Sequence, residues 1–161
     1  MFKLPRDPSV TYVKRVVGLP GDHVRMQAGH LVIDGKELPL RDDGVAQVEN
    51  GDGSMMETGK FVETLPGGRE HPIFKHQWNG RLDDMAEVIV PAGHVFMMGD
   101  NRDDSWDSRV SAELGGVGFV PMENLVARAE VVIGSYDFLS AKSISTWIAQ
   151  IRWSRFFHRI G

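Results

Sequence analysis

Thr11-Tyr12-Val13-Lys14-Arg15-Val16-Val17-Gly18-Leu19-Pro20-Gly21-Asp22 is the stretch that decides the fold class. Its first seven residues are mostly β-branched or aromatic, the composition of a strand. Gly18-Leu19-Pro20-Gly21-Asp22 then ends the run with a turn signal. Alternation predicts Tyr12, Lys14 and Val16 on one face and Val13, Arg15 and Val17 on the other. A mid-strand lysine is commonly a solvated or edge-protecting charge. It can also be buried and serve as a neutral base. The strand pattern alone leaves both readings of Lys14 open.

The same grammar repeats outward. His23 to Met26 and His30 to Ile33 read as short strands around Gln27-Ala28-Gly29. Asp34-Gly35 is a hairpin turn, and Lys36 to Pro39 returns. Asp84 to Val90 and the nearly continuous apolar run His94 to Met98 read as strands separated by Pro91-Ala92-Gly93. Val117 to Val120 leads into a predicted long β run, Leu125 to Tyr136. Leu40 to Gly80 is the least patterned region, with Asp42-Asp43-Gly44, Gly51-Asp52-Gly53 and Pro66-Gly67-Gly68. It reads as a polar, hairpin-rich insertion (about 40–82), open to mobility. Eighteen glycines and eight prolines in 161 residues also favour a turn-rich β protein over a helical bundle.

Composition narrows the function classes. Net charge is −4, which disfavours a nucleic-acid partner. The absence of cysteine removes disulfides, thiol catalysis and Cys-based metal sites. No apolar run approaches the roughly 18 residues of a membrane-spanning helix. The tail, 141–161, changes character. Trp147, Ile148, Ile151, Trp153, Phe156, Phe157 and Ile160 are interleaved with Arg152, Arg155, His158 and Arg159. Such a mixture suits a short helix docked on the β domain, or a membrane interface.

The second stretch of interest is Met97-Met98-Gly99-Asp100-Asn101-Arg102-Asp103-Asp104-Ser105-Trp106-Asp107-Ser108-Arg109. Carboxylates, arginines and serines follow one another with almost no spacer. A solvated loop has this composition, but so does a loop tied together by Arg–carboxylate forks, which holds a hydroxyl rigidly. The aspartates lack the loop glycine and closing glutamate of a calcium loop. There is no H-E-x-x-H and no G-x-S-x-G, and the six histidines lie in unrelated contexts. No metal and no cofactor is expected. A Ser/Lys pair remains. Lowering a lysine from its ordinary value of roughly 10.4 to about 8 corresponds to about 3 kcal/mol, within reach of burial among apolar neighbours.

The two stretches together carry a resemblance. Tyr12 to Asp22 resembles the lysine-bearing box of bacterial signal peptidase I. Gly99 to Arg109 is similar to that family's Gly-Asp-Asn-Arg-Asp-Asn-Ser-x-Asp-Ser-Arg box, with Asp104 where the family has Asn. Gly118-Phe119-Val120-Pro121 and Asn124 to Ala129 look like its last shared strand region, and the order and spacing agree over most of Phe2 to Tyr136. The resemblance implies a mainly β fold of antiparallel sheets forming a partial barrel over 1–140, with the insertion and a short C-terminal helix. It implies a membrane-bound serine endopeptidase of the bacterial inner membrane, acting on its outer side. Its partners would be preprotein signal peptides and the lipid surface, with the protein as a monomer. Lys14 would be the general base and Ser105 would orient it. Arg15, Asp100, Asp107 and Arg109 would form the supporting ion pairs, and Tyr12 and Val13 would line pockets for small side chains.

One element of the family pattern falls elsewhere. The resemblance implies a nucleophilic serine upstream of the lysine, in a Ser-Met box after a transmembrane segment. The expectation is therefore a fragment lacking both the nucleophile and the anchor, inactive alone. Gly53-Ser54-Met55-Met56 imitates that box, but it follows Lys14 and is succeeded by Glu57 instead of proline. Ser54 is not expected to be the nucleophile. Two alternatives belong to other classes: a catalytically inactive β domain that binds peptides or a membrane partner, and a self-cleaving Ser/Lys repressor. The repressor would need an Ala-Gly cleavage site together with a DNA-binding region, and the two do not occur together here.

Overall fold

A computed structural model describes residues 1–49 and 54–129, and the backbone of 131–132 and 158–159. The architecture is mainly β, built from small antiparallel sheets. Strands β1 (Phe2–Leu4) and β2 (Asp7–Tyr12) form a hairpin. Next, β3 (Arg15–Gly18) crosses to a different sheet. The expected strand over Thr11 to Val17 is thus interrupted at Val13-Lys14. The physical reason is a change of partner: β2 pairs with β1, whereas β3 pairs with β11 (His94–Met98). The dipeptide that makes the transfer leaves both ladders, and its side chains escape strict alternation.

Strands β4 (His23–Gln27), β5 (His30–Ile33), β6 (Lys36–Glu37) and β10 (Met85–Ile89) make a sheet in the order β10–β4–β5–β6. The Asp34-Gly35 turn takes positive φ at both residues, as a tight two-residue hairpin requires. A second sheet runs β12–β11–β3, with β12 spanning Val120–Pro121. Val17, Val24, Met26, Leu31, Ile33, Val90, Phe96 and Met98 fill the space between these two sheets. Gly18 permits the approach: a Cβ there would fall 2.9 Å from Val24 and 3.1 Å from Phe96. On the other face of β11, Val95 and Met97 pack with Phe2, Leu4, Val117 and Val120. The alternating apolar residues of β11 are therefore buried on both sides, which explains its uninterrupted hydrophobic sequence.

The least patterned region is a meander of three strands: β7 (Leu40–Glu49), β8 (Met55–Thr64) and β9 (Glu70–Lys75). Its strands are longer than the short pieces expected from sequence, and its inner end docks on the Gly99–Arg109 loop. Phe74 N–H donates to the Asp100 carbonyl at 2.8 Å, and Arg102 N–H donates to the Phe74 carbonyl at 2.9 Å.

Leu125 to Tyr136 does not form the continuous strand predicted. Met122–Asn124 is a 3-10 turn, Leu125 bridges Phe2, and Val126 N–H donates to the Met1 carbonyl at 3.1 Å. Pairing here is confined to the short stretch opposite Met1-Phe2. Farther on, β13 (Val131–Val132) pairs with β14 (His158–Arg159). The rest of the aromatic–basic tail, where a helix or a lipid-facing surface is expected, lies outside the described residues. Among the described residues no helix is long and apolar enough to cross a membrane.

Candidate active site

The Gly99–Arg109 loop closes on itself through its own side chains. Met97 N–H donates to Ser108 Oγ at 2.9 Å, and Ser108 N–H returns to the Met97 carbonyl at 3.0 Å. Inside that closure Asp107, fully buried, accepts from Gly99 N–H at 3.0 Å and from the Arg109 guanidinium at 2.9 Å through both oxygens. Arg109 also donates to the Arg102 carbonyl at 2.7 Å. Side chains within a dozen residues of sequence thus supply the loop's inner closure, and the loop is a rigid platform instead of a solvated excursion.

Ser105 stands on this platform and is only 4% exposed. Lys14 reaches it from the β2–β3 transfer point, Nζ donating to Ser105 Oγ at 2.5 Å. Burial lowers the Lys14 pKa below its ordinary value; Asp107 works against that, Arg109 adds to it, and Asp100 opposes it. The amine therefore releases its proton more readily than a surface lysine. Gly99 makes the contact possible. A Cβ at that position would collide with the Ser105 side chain and lie 3.2 Å from Lys14 Nζ. Next to Lys14, Arg15 forks onto Asp100 with two hydrogen bonds of 2.9 Å. Asp104, the departure from the family pattern, has a half-exposed side chain that accepts from Asn101 Nδ2 at 3.4 Å and lies 3.9 Å from His76 Nδ1.

Behind the loop is a layer of buried charge that sequence reading missed. Arg102 grips Glu63 of β8 through both carboxylate oxygens, at 3.0 and 2.5 Å. His71 of β9 places Nε2 3.2 Å from Glu63, off the hydrogen-bonding direction, and Nδ1 3.9 Å from Asp100. Burial alone would raise the Glu63 pKa; His71 and Arg102 more than offset it and hold the carboxyl at about 2. Lys75 of β9, fully enclosed, bonds Asp83 at 2.5 Å and Asp103 at 2.6 Å. Asp103 also accepts the His76 and Gln77 amides. No periodic signal marks such residues, because each pairs with a partner distant in sequence.

Lys14 opens onto a cleft of about 710 Å³ lined by Val13, Val16, Met97, Gly99, Leu125 and Val126, among others. Val13 is 61% exposed and forms part of its wall. Tyr12 is not among the lining residues; its ring packs edge-on against Phe2, with centroids 6.2 Å apart. One side of the cleft is β3, the edge strand of its sheet. Ser54 is remote: it precedes Met55 at the outer end of the β7–β8 hairpin. Lys60, paired with Phe74, is level with the loop. Six residues of extended strand separate Ser54 from that level, about 20 Å. Among the described residues no group of three or more His, Asp or Glu side chains could hold a metal ion.

Fold and site together define a β domain built around a half-buried Lys–Ser couple braced by ion pairs. By comparison with known proteins the chain belongs to the family "Signal peptidase, peptidase S26", which it matches over residues 1–134. It is similar to Signal peptidase I of Rickettsia akari (strain Hartford), at 33% identity, and of Rickettsia typhi (strain ATCC VR-144 / Wilmington), at 34%. Each alignment covers 99% of this chain and 63% of the relative, so the chain spans less than two thirds of their length. Among solved structures, a signal peptidase I from Enterococcus faecalis V583 aligns with a TM-score of 0.41 and 26% identity, covering 76% of this chain and 85% of the other.

Proposed function

We propose that this chain is the lysine-bearing catalytic β domain of a signal peptidase I, a serine endopeptidase that removes signal peptides from exported preproteins at a membrane. The observation that carries the reading is the Lys14 Nζ–Ser105 Oγ contact of 2.5 Å, at the mouth of an apolar cleft, within a chain of this family. A lysine base needs a depressed pKa and a fixed direction. Burial supplies the first and Ser105 the second. Arg15–Asp100 and Arg109–Asp107 are positioning pairs that hold the strand and loop carrying them.

In this reading Ser105 is too enclosed to attack a peptide carbonyl, and Ser54 is too far from the amine. The attacking oxygen is that of another serine, for which Lys14 is the base. Neutral Lys14 takes the proton of that serine as its oxygen bonds to the scissile carbonyl carbon. It returns the proton to the departing amine when the C–N bond breaks, leaving an acyl-serine. Lys14 then takes a proton from water as the water oxygen bonds to the acyl carbon, and gives it to the serine oxygen as the ester C–O bond breaks. An extended substrate lies along the open edge of β3, with Val13 contributing to the wall of a shallow pocket for a small side chain.

The test is direct. In the protein carrying the attacking serine, Lys14→Ala should abolish signal-peptide cleavage while circular dichroism and thermal melting stay close to wild type. Retained turnover overturns the role of Lys14. Signal-peptide cleavage that disappears in Ser54→Ala would overturn the exclusion of Ser54.

A further inference from the structure

The cleft has a charge opposite to that of the chain. The whole sequence carries −4, yet the ionisable side chains that line the cleft are Lys14, Arg15, Arg69, Arg128 and Asp100. Arg15 and Asp100 neutralise one another through their fork. Arg69, on the turn between β8 and β9, and Arg128, beyond the Met122–Asn124 turn, make no ion pair among the described residues and are solvent-exposed. Glu70, next to Arg69, and Glu123, the nearest carboxylate to Arg128 among the described residues, do not line the cleft. Two guanidinium groups without an ion-pair partner among the described residues therefore stand over a largely apolar groove, one wall of which is an edge strand.

Like charges brought to one concavity on an anionic protein are not explained by solubility, since scattering them over the surface achieves that better. They focus field into the groove and favour ligands of opposite sign. The apolar lining and the strand edge favour extended peptide, and the arginines favour carboxylate with a planar, two-pronged donor set. We infer that the cleft selects extended peptide segments bearing an acidic side chain beside the small residues it accommodates, with Arg69 and Arg128 as the specificity-determining residues. The inference rests on the peptide-cleaving reading above and adds a substrate class to it. Both arginines act in binding, remote from the proton transfers at Lys14, so their signature is in affinity and KM and not in kcat.

The experiment uses residues 1–161 and three fluorescein-labelled peptides of one small-residue sequence, differing at a single position: Glu, Gln or Lys. Binding is followed by fluorescence anisotropy at low and at physiological salt. The Glu peptide should bind about three- to tenfold more tightly than the Lys peptide at low salt, the size expected of two exposed charge contacts. The difference should shrink as salt rises, because these charges are screened over about 8 Å at physiological ionic strength. Arg69→Ala/Arg128→Ala should erase it while leaving the Gln peptide unchanged. Both side chains are exposed, so the variant should melt with the wild type. Equal binding of all three peptides, or a preference that survives in the double variant, overturns the charge selection and leaves the peptide cleft standing. No binding of any peptide overturns both.

Discussion

Gly99→Ala isolates the contact on which the site depends. Gly99 does not occupy the left-handed region, so alanine meets no backbone strain there and the effect is steric alone. The added methyl would lie 2.6 Å from Ser105 Cβ, well inside van der Waals contact, and 3.2 Å from Lys14 Nζ. Rotating the serine hydroxyl away does not remove the clash, because Cβ itself is involved. The loop must shift, yet its closure through Ser108 and Asp107 resists that. Overpacking of this kind costs about 1–3 kcal/mol. For a chain of this size that corresponds to a loss of about 3–10 °C in melting temperature. Lys14 should also lose its hydroxyl acceptor and gain an apolar neighbour, both disfavouring the ammonium, so its pKa should fall further. Differential scanning calorimetry reads the first effect, and NMR titration of 13C-methylated lysines the second. An unchanged melting temperature together with an unchanged Lys14 titration would refute the reasoning.

Other perturbations reach the layer behind the loop. Glu63 has its carboxyl held at about 2 against an ordinary 4.5, so its contribution is complete above 4.5 and is lost as pH falls towards 2. The shift corresponds to about 3 kcal/mol, and urea melts of wild type and Glu63→Gln should show wild type losing more stability than the variant between those pH values. Lys75→Met strands Asp83 and Asp103 in the interior and should destabilise the fold by about 3–5 kcal/mol, seen as a lowered urea midpoint. Asp107→Asn leaves the Arg109 guanidinium buried opposite a neutral amide; a comparable loss is expected, with slower turnover in the active protein.

The parts of the site readable in sequence were those whose partners lie close together along the chain or within a long motif. Asp107 and Arg109 are two residues apart, and both lie in the loop that holds Ser105. Lys14 and Arg15 sit in the strand–turn stretch that carries the resemblance. The tight Asp34-Gly35 turn and the apolar β11 follow from local chemistry. By contrast, Glu63, His71 and Lys75 lie in a region whose polarity reads as solvation. Their burial follows only from meeting Arg102, Asp83 and Asp103, and neither pattern nor propensity encodes that meeting. The break at Val13-Lys14 was hidden for a related reason: a strand that changes partners keeps a strand's composition through the change. Tyr12 fits a pocket-lining role by position, but the space beside Phe2 claims its ring.

The meander holds the loop only at its inner end, through Phe74, Glu63, His71 and Lys75. Beyond the Ala46–Thr58 pair the described residues of its two long strands pair with one another. The hairpin is a lever with a fixed fulcrum and a long arm. Cross-strand pairs could be deleted from the arm, or a foreign module spliced into it, without changing the distance between Lys14 and Ser105. Evolution and protein engineers thus have a handle on this domain that leaves its chemistry in place.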